Sequence, residues 1–430
     1  MIEILSLEEE LNSAGVNLKV LGVGGAGSNA VNSMIQSGDM DAISFIVANT
    51  DAQALHQSPA RNKVQLGKKI TKGLGAGSNP EIGKRAAEED IDAIKDLLDN
   101  TDILFLTAGL GGGTGSGALP IIAQAAREMG ILSVGVVTKP FSFEGKRRAK
   151  HAEDAFNNIK GTVDTLIVVP NQKLLENADP KISMLNAFAL SNDVLKQAIK
   201  GISDIITRAG HINVDFADVR TIMKDTGMAI MGTGRASGPD RAKQAALKAI
   251  SSPLLENTSI HGAKGVLINI TGNEDLELQE INDAASMVYE MVNPEANIIM
   301  GSVIDKSLGN EICVTVIATG LDLSVDKPTV DTKPIIVTSN ITPARPSPEA
   351  MIEIAVATAI MPEPVTIVSE MSAHSAPQIV PAAAPQHLSG ATSASMHTAP
   401  IEESFDMDNL DTPTFMRKKA AEQATSSQDE

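Results

Sequence analysis

The chain has 430 residues, 43% of them hydrophobic but only 2% aromatic, with no tryptophan. That length suits two domains of ~150 residues plus extra segments, and the cores must be aliphatic. A net charge of −18 argues against sequence-independent nucleic-acid binding, which needs basic patches, and the single cysteine, Cys313, excludes an internal disulfide and fits a reducing compartment.

The first residues, Met1 to Asn12, are acidic and lack the basic stretch and apolar core of a signal peptide. No apolar run approaches the ~20 residues needed to cross a bilayer, so no direct membrane insertion is expected. From about Gly15 to Leu323, short apolar runs alternate with helical patterns. Runs at 18–23, 43–47, 103–106, 133–137 and 165–169 read as buried strands, with helical patterns at Asn79 to Leu98 and Leu119 to Met129 between them. This alternation predicts a doubly wound parallel sheet, with a ligand at the carboxyl ends of its strands. A long helix at about Ile182 to Arg208 leads to a second, smaller α/β unit with strands at 265–270 and 312–317 and a helix ending near Val292. From about Ser324 to Pro400, Ala, Ser, Thr and Pro dominate and Phe is absent. Such a composition predicts a disordered linker, with Met351 to Ala357 as a segment of transient strand or helix. Beyond it, Phe405 and Phe415 reappear among charges, as in a docking peptide on a tether.

Three glycine-rich loops carry the chemistry. Gly22-Val23-Gly24-Gly25-Ala26-Gly27-Ser28-Asn29 joins a strand to a helix and matches G-x-G-x-x-G. Glycines let backbone approach a phosphate, and the helix N-terminus supplies N–H donors. From this loop alone a dinucleotide oxidoreductase, with Asp51 as its ribose acid, and a plain tight turn both stay open. The second loop, Gly109 to Gly117, places five glycines among the seven residues from Gly111, at an entropic cost with no evident packing return. It lacks the Gly-Lys-Ser/Thr ending of a Walker A loop. It reads as backbone wrapped around phosphates, with Thr114 and Ser116 adding hydroxyl donors. The third, Lys72 to Pro80, offers Asn79 as helix cap and Pro80 at the first helical position, and suits a lid over a terminal phosphate. Together they describe a nucleoside triphosphate held mainly by backbone. The seven histidines show no ligand spacing, so no protein metal cluster is expected.

Gly111-Gly112-Gly113-Thr114-Gly115-Ser116-Gly117 resembles the tubulin signature. Asn49 to Leu55 (NTDAQAL), Thr138 to Gly145 (TKPFSFEG) and Asn213 to Arg220 (NVDFADVR) resemble the bacterial cell-division branch of the tubulin-like GTPases, the FtsZ family. The resemblance runs from about Leu18 to Gly320 and resumes in the last residues. It implies a tubulin/FtsZ-like fold divided into an extension (1–14), a GTP-binding domain (15–181), a bridging helix (182–208), a second α/β domain with the catalytic loop (209–323), a linker (324–403) and a C-terminal peptide (404–430). It implies GTP and GDP as ligands, with Mg²⁺ held through phosphates and water. Phosphate contacts fall on Gly25, Ala26, Gly27, Ser28, Asn29, Gly113, Thr114 and Gly115, with Asn49 in the same site. Ala26 and Ser28 depart from a loop that is almost all glycine in many relatives.

Glu144 and Arg148 match the ribose and guanine side, although their spacing is also that of a helix-surface ion pair. Phe188 would stack on guanine, and Asn192 or Asp193 would read its edge. Both Phe188 and Asn192 also suit ordinary core and polar-face positions. Asp215 and Asp218 match a loop that completes hydrolysis in the neighbouring subunit of a filament, although Asp215 also suits a helix cap. In the tail, Asp411, Pro413, Phe415, Met416 and Arg417 match a peptide that docks on membrane-tethering division proteins such as FtsA or ZipA. The resemblance thus implies a cytoplasmic homopolymer at a midcell division ring, on the inner face of the membrane.

Overall fold

A computed structural model of the chain describes residues 15–208, 210–255 and 260–321. The N-terminal extension, the linker and the docking peptide lie outside these residues. The first half is a run of β/α units: β1 (Leu18–Val23), α1 (Gly24–Ser37), β2 (Ile43–Asn49), α2 (Ala52–Gln57), β3 (Asn62–Gln65), α3 (Lys68–Thr71), α4 (Pro80–Glu89), α5 (Ile91–Leu98), β4 (Ile103–Gly109), α6 (Thr114–Glu128), β5 (Leu132–Lys139), α7 (Lys146–Ile159), β6 (Thr165–Pro170) and α8 (Asn171–Glu176). The strands pair in parallel in the order β3-β2-β1-β4-β5-β6. The order reverses between β1 and β4, and a crevice opens at such a switch point. Both faces are covered, one core under α1 and a second under α6 and α7, and both are aliphatic apart from a few phenylalanines such as Phe105.

The bridging helix, expected at 182–208, is α9 (Met184–Thr207), with the Ser183 hydroxyl capping the Asn186 amide at 3.2 Å. It leads to α10 (Phe216–Met223), β7 (Gly227–Ser237), α11 (Arg241–Ile250), β8 (Gly265–Gly272), α12 (Leu278–Tyr289), β9 (Asn297–Ile304) and β10 (Glu311–Thr319). Among the described residues the sheet does not break between the halves. β7 pairs in parallel with β6, then the order β7-β10-β8-β9 follows, with β10 antiparallel to both neighbours. The sheet is therefore parallel in the first half and mixed in the second.

Sequence pattern missed β3, β7 and β9. β3 is a four-residue edge strand, three of whose residues are polar. β7 is interrupted by Gly232 and Gly234. A Cβ at these positions would lie 2.0 Å from the Ala249 carbonyl oxygen and 2.1 Å from that of Ala245, so the glycines admit α11 onto the strand. The single helix expected at 79–98 is two helices, α4 and α5. Asp90 leaves helical geometry between them, and its carboxylate accepts the Gly67 N–H at 2.6 Å.

One buried ionic cluster fastens α9 to both halves. Asp204, its side chain 6% exposed, receives Lys200 Nζ at 2.8 Å and Arg208 Nε at 3.1 Å. The same two cations reach Asp305, beyond β9, at 3.7 and 3.4 Å, and Arg208 donates to the Asp39 carbonyl, after α1, at 2.7 Å. Burial pushes the Asp204 carboxyl up from its ordinary range, against the pull of Lys200 and Arg208. Removing one member of such a cluster strands the others. Asp204→Ala is expected to cost about 3 kcal/mol in urea unfolding, whereas Lys173→Ala, at an exposed pair with Glu176, is expected to cost under about 1 kcal/mol.

Candidate functional site

β1 and β4 end side by side at the switch point, and each runs through a glycine loop into a helix. α1 begins at Gly24 behind Val23, and α6 begins at Thr114 behind Gly113. Neither cap residue supplies a side-chain acceptor, and neither first turn carries an acid. Two helix N-termini thus present unsatisfied N–H groups and the positive ends of their dipoles in one region, which is the physical requirement for holding phosphate.

The glycines divide into two classes. A Cβ on Gly27 would lie 2.4 Å from the Thr107 carbonyl oxygen, on Gly24 2.8 Å from the Gly115 nitrogen, and on Gly113 2.8 Å from the Asn79 nitrogen. These positions pack backbone against backbone, a return that reading the sequence as phosphate wrapping alone did not foresee. At Gly25 and Gly112 an added Cβ would meet nothing within 4 Å, and neither residue has positive φ. Their lack of a side chain answers to no protein neighbour, and it leaves room for a ligand at the loop surface.

The hydroxyls correct the sequence reading in part. Ser116 is 2% exposed, and its Oγ accepts the Gly111 N–H at 2.8 Å, so it shapes the loop. Thr114 Oγ1 lies 2.7 Å from Thr50 Oγ1. Ser28, 3% exposed, has a buried Oγ with no protein partner, an orphan donor beside the cradle. Asn49 is buried, and its Oδ1 accepts the Asp51 N–H at 3.3 Å. Asp51 caps α2, accepting from the Gln53 and Ala54 amides at 2.9 and 3.2 Å. The residue offered as a ribose acid thus serves as a helix cap through Oδ1. In the third loop, Asn79 caps α4 through the Glu81 amide at 3.0 Å with Pro80 at the first helical position, as expected.

Beside the cradle lies a cavity of about 330 Å³. Gly25, Ala26 and Asn29 line it from the first loop, Glu144 from just before α7 and Arg148 from its first turn, and Phe188 and Asn192 from α9. Gly27, Ser28, Gly113, Thr114 and Gly115 are buried behind it. Glu144 does pair with Arg148 as the helix spacing allowed, and its Oε1 also accepts the Phe141 N–H at 2.9 Å. Asn192 faces the cavity, whereas Asp193 is exposed and does not line it. Phe188 packs edge-on against Phe141 and Phe143 at 5.3 and 6.5 Å between ring centres, and Phe141 stacks on Phe143 at 5.1 Å. A chain poor in aromatics gathers three rings here.

Sequence reasoning missed Asn171 and Ser191. Asn171 is 4% exposed and lines the cavity at the carboxyl end of β6, and the Ser191 hydroxyl donates to its Oδ1 at 2.7 Å. That bond fixes which way the Asn171 amide can donate. Its place immediately after a parallel strand was the available signal.

Asp215 and Asp218 are not brought to this cavity. Asp215 caps α10, its Oδ1 accepting the Asp218 N–H at 2.8 Å, so the capping alternative is realised; both residues are exposed. α10 is fastened to the beginnings of strands: Thr165, opening β6, donates its hydroxyl to the Met223 carbonyl, and Arg220 donates to the Gly130 carbonyl before β5 at 3.4 Å. The cavity lies at the other ends of the same strands, where Thr138 and Asn171 line it. Six residues of β6 span roughly 20 Å. Among the described residues, no cluster of His, Cys, Asp and Glu forms a metal site and no helix is long and apolar enough to cross a membrane.

This geometry defines an α/β protein with two glycine loops and two helix N-termini gathered at the carboxyl ends of its strands, an arrangement able to take a phosphorylated ligand. Residues 17–179 match the GTPase domain of the Tubulin/FtsZ family, and residues 227–322 match the C-terminal domain of the FtsZ family. An FtsZ dimer from M. jannaschii is 41% identical with a TM-score of 0.69, covering 74% of this chain and 93% of its own. CetZ1 from Haloferax volcanii, a GDP-bound monomer, shares the fold at 21% identity and TM-score 0.62, over 71% of this chain and 94% of its own. The chain belongs to the Tubulin/FtsZ family, and its GTPase domain implies guanine-nucleotide binding and GTPase activity.

The two glycine classes separate experimentally. Gly25→Ala and Gly112→Ala are expected to keep the thermal midpoint within about 3 °C while weakening GTP binding about tenfold or more in equilibrium titration. Gly27→Ala is expected to lower the midpoint by several degrees because its Cβ meets a backbone carbonyl.

Proposed function

We propose that this chain is a GTPase that polymerises head to tail, and that each catalytic site is completed by the Asp215/Asp218 loop of the next subunit. One observation carries the reading: the carboxylates sit at the opposite ends of the strands from the cavity of their own chain. A second copy stacked in the same orientation sets one strand-end face on the other and joins the two half-sites. The M. jannaschii relative is described as a dimer, which supports self-association.

The division of labour follows. Residues 15–181 hold the nucleotide, 182–208 bridge, and 209–323 carry the loop. The helix N-termini and the amides around Gly25 to Asn29 and Gly113 to Gly115 bind the phosphates. Phe188 stacks on guanine, Asn192 rather than Asp193 reads its edge, and Glu144 with Arg148 holds the ribose side. Asn49 and the Thr50–Thr114 pair set the floor of the phosphate site. The first turns of α1 and α6 carry no acid, and among the described residues no side-chain cluster offers a metal site; Mg²⁺ would be held through the nucleotide and water and would supply charge neutralisation. Asp218, with Asp215, orients the attacking water. Loss of the γ-phosphate contacts then weakens the joint.

In the cell this polymer forms the cytokinetic ring of a bacterial division site on the inner face of the membrane and recruits other division proteins. The peptide with Asp411, Pro413, Phe415, Met416 and Arg417 docks it to tethers of the FtsA or ZipA kind.

Phosphate release per chain is expected to rise with protein concentration and to fall at least about a hundredfold in Asp218→Ala, with GTP affinity retained. Mixing Asp218→Ala with Gly112→Ala chains is expected to recover part of the activity, since one type of joint then pairs an intact cavity with an intact carboxylate loop. A normal rate in Asp218→Ala, or a rate per chain independent of concentration, would overturn the reading.

A further inference from the structure

We propose that the N-terminal residues 1–14 return along the open edge of β2 and cover an apolar groove beside it. The inference stands apart from the head-to-tail reading and needs no second copy.

β3 pairs with Ile46 to Asn49 only. Among the described residues no strand lies beside the outer edge of β2 at Ile43 to Phe45. An open strand edge offers backbone N–H and C=O groups to any extended segment that reaches it, and folds commonly cover such edges. A cavity of about 440 Å³ runs along this stretch. Met34 and Ile35 line it from the end of α1, Met40 from the turn that follows, and Ile43 and Phe45 from β2. Ile35 and Phe45 are only half-buried. The two charged residues of the lining, Asp41 and Arg61, are both exposed and of opposite sign. The groove therefore selects for apolar side chains on an extended backbone, and not for net charge.

The first residues of the chain match that demand. Ile2-Glu3-Ile4-Leu5-Ser6-Leu7 is an apolar run in which Ile2 and Ile4 share one face of an extended segment and Leu5 and Leu7 the other. Six extended residues span roughly 20 Å, more than the open edge requires. The segment also joins the fold in the right place. Val16 packs against the same core as Ile35 and Phe45. Leu18, which opens β1, is the register partner of Ile43. The chain thus enters the sheet one strand away from the groove, about 4.8 Å in the pairing direction. The eight residues from Glu8 to Gly15 reach up to roughly 26 Å, enough to turn back. A tether this short holds the run at an effective concentration on the order of millimolar, which a separate molecule would have to exceed.

The test is amide hydrogen exchange in the full chain without GTP, read by mass spectrometry over residues 43–45. Ile2→Asp/Ile4→Asp/Leu5→Asp/Leu7→Asp is expected to speed exchange there about tenfold while residues 103–106, inside the sheet, keep their rate. The milder Ile4→Ser/Leu7→Ser is expected to fall between. GTP binding is expected to match that of the unmodified chain in both variants. A free peptide of residues 1–14, added at about 1 mM to the fourfold variant, is expected to restore the slow exchange. Exchange at 43–45 that is the same in the unmodified chain and both variants overturns the inference. So does protection that grows with protein concentration alongside a dimer in sedimentation, since the groove then belongs to a second copy.

Discussion

Backbone meeting backbone at the switch point is the constraint from which the site follows. Gly27 lies against the Thr107 carbonyl and Gly24 against Gly115, at separations a Cβ would close. This contact draws the start of α1 onto the ends of β1 and β4 and against the start of α6. Two helix N-termini converge because nothing larger than hydrogen separates the loops that lead into them. A setting able to take phosphate on dipoles and N–H groups is then a consequence of packing, and it needs no lysine of the Walker type.

The long helix α9 converts that local site into a property of the whole chain. Its first turns bring Phe188 and Asn192 to the cavity, and its last turns carry Asp204 in the ionic cluster that grips Asp305 and the Asp39 carbonyl. The chain then passes directly to Asp215. A helix of 24 residues is a rod of about 36 Å, fastened at both ends. The nucleotide pocket and the carboxylate loop are held at a set distance within one subunit, and that separation is what makes a second subunit necessary in the proposed mechanism.

Much of this was legible in the sequence. Continuous apolar runs marked β1, β2, β4, β5 and β6, because strands covered on both faces carry no polar period. Asn79 and Pro80 marked a helix start through capping chemistry that acts within a few residues. Less legible were strands whose logic is not local. Gly232 and Gly234 look like strand breakers until α11 is laid on them, and β3 is too short and too polar to stand out. The single helix expected at 79–98 divides because Asp90 is claimed by Gly67, distant in the sequence but adjacent in space. Asn171 gave no motif, and its role depends on Ser191 from another helix.

By itself, then, the sequence determined what is set by neighbours along the chain: strand and helix periodicity, the caps, the glycine loops and the residue types able to cradle a triphosphate. Tertiary structure alone decided which glycines serve packing and which face open space, since only the facing loop shows where a Cβ would clash. It set which of Asn192 and Asp193 lines the cavity, because adjacent positions on a helix point about 100° apart and only packing says which one faces it. It also placed Asp215 and Asp218 at the far ends of the strands, a separation fixed by strand direction and β6 length that no spacing in the sequence expresses.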